Sequence, residues 1–386
     1  MHVFFSVGEP SGDAYASCLM RALRTARTEV RFSGFGGPRM QAEGCHLLYP
    51  LTELALMGLT AIVPHLRHFF RLLKQAEQFF AEDRPDAVVL LDYPGFNWWV
   101  ARRAKAAGIP VFYYFPPQLW AWAPWRIRRM RRHVDHVLTT LPFEAPWYAA
   151  RGIRVRDVGH PIFDDIRQQV LDTAWIDHFR SRQQPLVALL PGSRDQEVHY
   201  NWPLMLDVVA RLVEAEPRVQ FLVACYKPAY QEWCERQLRE SKRTLPIQFF
   251  VGKTSEIIEV ADCSLMVSGS TSLEMLARAT PTVVIYRCGW IFYAIARLLV
   301  TCASMTLPNL IAGRRVMPEF LSVGPRHATT DQVVPILKRW ITDADARQVA
   351  VDELRSLRRD VMRTGAAARA AEAILQAVSV AVRRAA

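Results

Sequence analysis

The run Ser6-Val7-Gly8-Glu9-Pro10-Ser11-Gly12-Asp13 lies where one periodicity gives way to another. His2 to Val7 reads as a short buried strand, and Ala14 to Arg24 carries Ala16, Leu19, Met20 and Leu23 at helical spacing. Strand, glycine-bracketed turn and helix in that order place the turn at the carboxyl end of a first strand, where open α/β sheets bind ligands. Gly8 and Gly12 let the backbone pass close to a ligand, Ser11 or Asp13 can cap the helix, and the helix start offers free N–H groups to an anion. Glu9 adds a carboxylate to the same loop. A plain strand-to-helix turn with an ordinary cap fits these residues equally well.

Outward from this turn the alternation repeats. Strand-like runs at His2 to Val7, Val30 to Gly36, Ala87 to Leu91, Val111 to Phe115 and His136 to Leu141 are separated by helical segments. A second series follows at Leu186 to Leu190, Val219 to Cys225, Ile247 to Val251, Cys263 to Val267 and Thr282 to Tyr286. Each series predicts a parallel sheet with helices on both faces. The polar stretch Asp164 to Pro185 reads as the interdomain helix and linker. The expected fold is therefore α/β with two Rossmann-like domains, residues 1–165 and 166–350, and a ligand cleft between them. A helical tail over 351–386 is expected to pack on the first domain or to be exchanged in a dimer, and to end without structure from Arg383.

A chain of 386 residues, half of them apolar, fills two cores. Seven scattered cysteines with no C-x-x-C pair argue against a disulfide framework or a zinc site, so neither metal nor cofactor is expected, and a reducing cytoplasm fits. No signal peptide is read at the amino terminus. Trp290 to Leu307 has about the minimum length of a membrane span but contains Arg297 and runs into Pro308, so it reads as a buried or interfacial helix. Net charge is +11, with Arg126, Arg128, Arg129, Arg131 and Arg132 within seven residues. Such a surface seeks anions. Neither a full G-x-G-x-x-G fingerprint nor a Walker A sequence occurs, which disfavours NAD and ATP.

Three further constellations suit chemistry. Leu189-Leu-Pro-Gly192-Ser193-Arg194 ends a strand, and Arg194 offers a planar fork for a diphosphate or, more plainly, for a nearby surface carboxylate. Ser268-Gly269-Ser270-Thr271-Ser272-Leu-Glu274 opens a helix with hydroxyls for phosphates and a carboxylate for ribose, although Thr271 and Glu274 also have capping-box spacing. Asp92, at the end of an apolar strand, suits a proton acceptor or a cap. Two segments mix aromatics with cations: Ile62 to Phe80, with Arg67, Phe69, Phe70 and Arg71, and Phe115 to Arg132, with Trp120, Trp122 and Arg126. These are candidates for an anionic lipid surface, with packing on the core as the plainer account.

Taken together the motifs resemble the lipid-A-disaccharide synthase family of glycosyltransferases. The resemblance rests on Gly8 to Asp13, Gly37 to Cys45, Leu54 to Gly58, Asp92 to Asn97, Trp120-Ala-Trp122, Leu141 to Glu144, Gly159-His160-Pro161, Leu189 to Arg194, Ser268-Gly269 with Leu273-Glu274, Tyr286-Arg287 and Leu307 to Gly313. It implies a metal-free GT-B glycosyltransferase, peripherally associated with the cytoplasmic face of the inner membrane. The implied reaction transfers 2,3-diacylglucosamine from UDP-2,3-diacylglucosamine to 2,3-diacylglucosamine 1-phosphate, giving a β-1,6 disaccharide and UDP. By position, Asp92 becomes the base and Arg194 the cation facing the departing diphosphate. Ser193, Ser268, Gly269, Ser270, Thr271, Glu274, Arg287 and Asn309 become the UDP pocket. The resemblance also implies a homodimer. The chain departs from the family pattern at Gly95 and over Phe115-Pro-Pro-Gln118, both on the acceptor side. A related GT-B enzyme on another UDP-GlcNAc-type substrate or lipid acceptor is the alternative. A nucleic-acid partner is not expected, because no known motif frames the arginine cluster.

Overall fold

The computed structural model describes residues 1–55 and 62–385; side chains at 54, 55, 62–66 and 381–385 are outside that description. Most of the Leu54 to Gly58 motif, and the side chains of His65 and Leu66, therefore lie outside the described residues. The chain divides into two compact units, Met1–Asp164 with Arg363–Ala386, and Asp165–Met362.

The first unit is built on a seven-stranded parallel sheet. Its strands are β1 (His2–Val7), β2 (Arg31–Phe35), β3 (His46–Tyr49), β4 (Ala87–Leu91), β5 (Val111–Tyr114), β6 (His136–Thr139) and β7 (Val155–Asp157), in the order β3-β2-β1-β4-β5-β6-β7. Strands β1 and β4 are buried along their whole length, as apolar runs without alternation require when helices cover both faces. The second unit repeats the design with six parallel strands: β8 (Leu186–Leu190), β9 (Gln220–Cys225), β10 (Ile247–Val251), β11 (Cys263–Val267), β12 (Thr282–Arg287) and β13 (Glu319–Ser322), ordered β10-β9-β8-β11-β12-β13. The strand order reverses between β1 and β4 in one unit and between β8 and β11 in the other. Those two switch points are where crevices open in such sheets.

Helix Pro10–Ala26 begins four residues earlier than its periodicity suggests, because Pro10 is tolerated at the first helical position. Ser11, Gly12 and Asp13 consequently lie inside its first turn. Neither Ser11 nor Asp13 caps it; the cap position is Glu9, which makes no side-chain cap hydrogen bond. The Asp13 carboxylate instead accepts N–H bonds from Gly37 (3.1 Å), Arg39 (2.9 Å) and Met40 (3.0 Å), satisfying the start of helix Pro38–Ala42.

The helical tail is two elements. Helix Ala344–Val361 stays with the second unit, whereas Ala366–Ala385 packs against helix Pro10–Ala26 in the first. Ala370, Ala371, Ile374 and Val378 enter the same apolar cluster as Val3, Phe5, Leu19 and Met20. Asp164 accepts the N–H groups of Gly365 and Ala366 at the helix start. The helix runs through Arg383 to Ala385, where the sequence suggested an unstructured end. All seven cysteines are free, and among the described residues no helix is long and apolar enough to cross a membrane.

Candidate active site

At the first switch point the ends of β1 and β4 are tied together by Asn97, a fully buried residue of helix Pro94–Ala106. Its Nδ2 donates to the carbonyls of Ser6 (3.2 Å), Leu91 (3.0 Å) and Asp92 (2.8 Å), and its Oδ1 accepts from Ser6 Oγ (2.6 Å). The Tyr113 hydroxyl adds a second donor to the Asp92 carbonyl at 2.7 Å. So held, Asp92 and Tyr93 adopt consecutive left-handed conformations, with φ of 47° and 41°. For non-glycine residues that arrangement stores strain and is typical of functional turns. It presents the Asp92 carboxylate to Gly12, where a Cβ would lie 2.9 Å from Oδ2. A Cβ on Gly8 would overlap the Tyr93 ring at 2.3 Å. Both glycines of the opening motif thus leave room for the Asp92–Tyr93 turn itself. Burial, reinforced by the negative charge of Glu9, pushes the Asp92 carboxyl up to about 7. A carboxylate balanced there is suited to take a proton near neutral pH.

Replacing Asn97 by Ala would remove four hydrogen bonds at once, while the Asp92 carbonyl keeps its second donor, Tyr113. The expected loss is about 3 kcal/mol, read as a lower midpoint in urea unfolding at unchanged slope.

Around this turn the candidate acceptor-side residues divide. Phe69, on helix Ile62–Glu82, is half-buried and packs toward Tyr93 and Phe96, with ring centroids 6.4 and 5.7 Å away. Phe70, Arg67 and Arg71 are exposed. Trp120 is not at the surface: it is buried, and its Nε1 donates to Glu144 Oε1 at 3.0 Å. Glu144 also receives the N–H groups of Thr140 and Leu141, and burial raises its carboxyl to about 7. Trp122 is exposed and lies under the Arg126 guanidinium, 3.9 Å from the ring centroid. Arg126 Nε and Nη2 are buried with no acceptor among the described residues. His160 is a buried ring against Tyr15 and Phe115, driven down to about 3 by desolvation and therefore neutral.

At the second switch point, Gly192 has φ of +118°, and a Cβ there would lie 2.6 Å from the Glu197 side chain. Glu197 folds back to accept the N–H groups of Ser193 (3.0 Å) and Arg194 (3.2 Å) and the Arg194 guanidinium (2.9 Å). The plainer reading of Arg194 is thus realised in part: it pairs with a carboxylate, yet its side chain remains 75% exposed and its other Nη nitrogen is open to an anion. Across the switch point, the exposed Gly269 and Ser270 precede helix Thr271–Arg278. Ser268 Oγ donates to the Met305 carbonyl, and Ser272 Oγ to that of Gly269. The Thr271–Glu274 capping box does not form; Glu274 accepts instead from Arg278 at 3.0 Å. Arg287 is anchored by Ser322 Oγ (3.0 Å) and the Gly324 carbonyl (2.7 Å). Asn309 sits differently from the other candidates. It is 1% exposed, and both ends of its amide bond the backbone of Val316 and Met317, which fixes the shape of that loop.

Among the described residues no three His, Cys, Asp or Glu side chains are grouped to hold a metal ion. A surface groove of about 540 Å³ in the first unit, between β6, β7 and the terminal helix, contains none of the candidate residues.

Two parallel-sheet α/β units, each with charged and hydroxyl-bearing loops at its switch point, give the GT-B architecture, which glycosyltransferases share with sugar-nucleotide epimerases. A calicheamicin glycosyltransferase superposes with a TM-score of 0.61 at 14% identity, covering 99% of this chain and 98% of that one. A UDP-N-acetylglucosamine 2-epimerase described as putative, from Listeria monocytogenes, superposes at 0.65 with 10% identity, covering 96% and 94%. A model of the lipid-A-disaccharide synthetase family matches residues 3–368. The lipid-A-disaccharide synthase of Myxococcus xanthus is 36% identical over 96% of this chain and 95% of its own length, and that of Azotobacter vinelandii 36% over 97% and 98%. The chain belongs to the lipid-A-disaccharide synthase family. Its activity is the glycosyl transfer that makes the lipid A disaccharide, and its donor substrate is a UDP-sugar.

Proposed function

We propose that Asp92 is the general base, and Arg194 the cation receiving the departing diphosphate, in transfer of 2,3-diacylglucosamine from UDP-2,3-diacylglucosamine to 2,3-diacylglucosamine 1-phosphate. The observation that carries this reading is the Asp92 carboxyl, displayed by a strained turn at a switch point and raised to about 7 by burial and Glu9. In an inverting displacement the acceptor hydroxyl attacks the anomeric carbon as the bond to UDP breaks. The hydroxyl proton passes to Asp92 Oδ, and the bonding electrons leave with the diphosphate. One base and a set of cationic and N–H donors suffice, without a covalent intermediate. Ser193, Gly269, Ser270 and Thr271 would supply phosphate donors, Glu274 the ribose acceptor and Arg287 further charge. Asn309 would hold the loop behind them.

The first unit is proposed as the acceptor side. An acceptor phosphate would give Arg126 the partner its buried nitrogens lack, and exposed Phe70, Arg67, Arg71 and Trp122 would meet an anionic inner-membrane surface. A homodimer belongs to the same proposal, as does peripheral attachment at the cytoplasmic face.

The test is a transfer assay with both lipid substrates in detergent and products resolved by mass spectrometry. A disaccharide phosphate with stoichiometric UDP is expected; UDP-sugar binding without disaccharide would overturn the assigned acceptor. Arg194→Ala is expected to lower kcat/KM by about 10²- to 10³-fold and to weaken UDP binding, with Arg194→Lys recovering only part because the planar fork is lost. Wild-type kinetics in Arg194→Ala would remove it from the reaction.

A further inference from the structure

We propose that the second unit carries its own lipid-contact element, helix Trp290–Leu299, which lies in the surface of an anionic bilayer. The inference rests on the reading of the substrates as lipids and adds a membrane contact in the unit that binds the UDP-sugar.

The helix is apolar, yet none of its residues is buried. Leu298 is 85% exposed and Ile291 79%, and Trp290, Phe292, Ile295, Leu299 and the adjoining Val300 are exposed as well. An apolar helix with no buried side chain is the opposite of what water selects, and so large an exposed patch marks an interaction surface. At 100° per residue, Ile291, Phe292, Ile295, Leu298 and Leu299 fall on one face, while Arg297 falls opposite their centre. Tyr293 and Ala296, the half-buried members, point to the side that meets the protein.

Two observations choose the occupant. The first is charge: from Cys288 to Pro318 there is no Asp or Glu, while Arg297 and Arg315 are present and exposed; Arg314, also exposed, pairs with Glu353. A basic, Trp- and Leu-bearing amphipathic helix fits an anionic bilayer, where each cation adds on the order of 1 kcal/mol. A second copy of a chain carrying +11 offers no such complement. The second is placement. The helix starts three residues after Arg287, its Trp290 ring neighbours Gly324, whose carbonyl holds Arg287, and the chain leaving it returns Met305 to Ser268. The apolar face is thus tethered at both ends to candidate donor-site residues, where a diacylated sugar nucleotide would need its acyl chains kept in lipid.

The experiment is sedimentation of the full chain with vesicles of phosphatidylcholine and phosphatidylglycerol in a 3:1 ratio. It compares wild type with the triple variant Ile291→Ser, Ile295→Ser, Leu298→Ser. The expected result is a loss of at least about tenfold in partitioning, since three large apolar side chains leave the bilayer. UDP affinity, melting temperature and activity on detergent-dispersed substrates should stay within twofold or within a degree of wild type. Partitioning within twofold of wild type overturns the proposal. So does a light-scattering result in which the variant loses a wild-type dimer while its vesicle binding persists, because the face would then serve a second copy. Failure of the transferase reading would appear separately, as absence of disaccharide from wild type in detergent, whatever the vesicles report.

Discussion

Substituting Asn for Asp92 is expected to lower the transfer rate by about 10³-fold while leaving UDP affinity within twofold, because the change removes a proton acceptor and keeps the shape of the turn. The wild-type pH profile should carry the same signature. The carboxylate is the active form, so kcat/KM should fall as pH drops through about 7, and that limb should vanish in Asp92→Asn. Glu9→Gln tests the second cause of the shift. Removing a neighbouring negative charge lowers the Asp92 pKa, so the limb should move to lower pH with the plateau rate retained. Stability should change with the opposite sense to activity. A carboxyl that binds its proton more tightly folded than unfolded loses stability as pH rises from about 4 to about 7. Asp92→Asn should therefore melt higher than wild type at pH 8, by on the order of a few kcal/mol, and converge with it toward pH 4. Full activity in Asp92→Asn, or an acid limb unchanged in both variants, would refute the assignment.

The parts of the molecule legible in the sequence are those whose chemistry is local. Buried central strands such as Ala87–Leu91 and Cys263–Val267 are continuous apolar runs, and the turns that follow them carry their own glycines and hydroxyls. Strands at or next to sheet edges are short and mixed: His46–Tyr49, Val155–Asp157 and Glu319–Ser322 have three or four residues, most half-exposed, and no periodicity to announce them. Contacts between distant segments are equally silent. Asp13 caps a helix start 24 residues away, and Ser6 meets Asn97 across 91 residues, so no spacing rule reaches them. The Thr271–Glu274 pair shows the converse. Correct spacing for a capping box is overridden by Arg278, four residues along the same helix face, which offers Glu274 a charge-assisted bond. Trp290 to Leu307 illustrates how composition cannot decide exposure: the helix stops at Leu299 and turns its apolar face to solvent.

Ending the chain at Met362 is expected to unfold the first unit and spare the second. Helix Ala366–Ala385 follows the second unit in sequence but supplies Ala370, Ala371, Ala373, Ile374 and Val378 to the cluster that contains Val3, Phe5, Leu19, Met20 and Leu23. Its removal would open that core to water along helix Pro10–Ala26 and release Asp164, Asp157 and the Val158 carbonyl from their partners at Gly365, Ala366, Arg363 and Arg369. Losing Ile374 alone, as Ile374→Ala, should cost about 3 kcal/mol, since it is fully buried. Removing the whole helix exceeds the margin by which a domain of this size is stable. Hydrogen exchange provides the readout: amides of Val3 to Val7 and Ala87 to Leu91 should lose protection in the truncated chain, while those of Leu186 to Leu190 and Cys263 to Val267 keep theirs. Protection retained in β1 and β4 would show that the helix is an accessory to the first unit. With the expected outcome, UDP binding should survive truncation and transfer should not, because the strained turn that carries Asp92 depends on a β1–β4 junction that the terminal helix helps to bury.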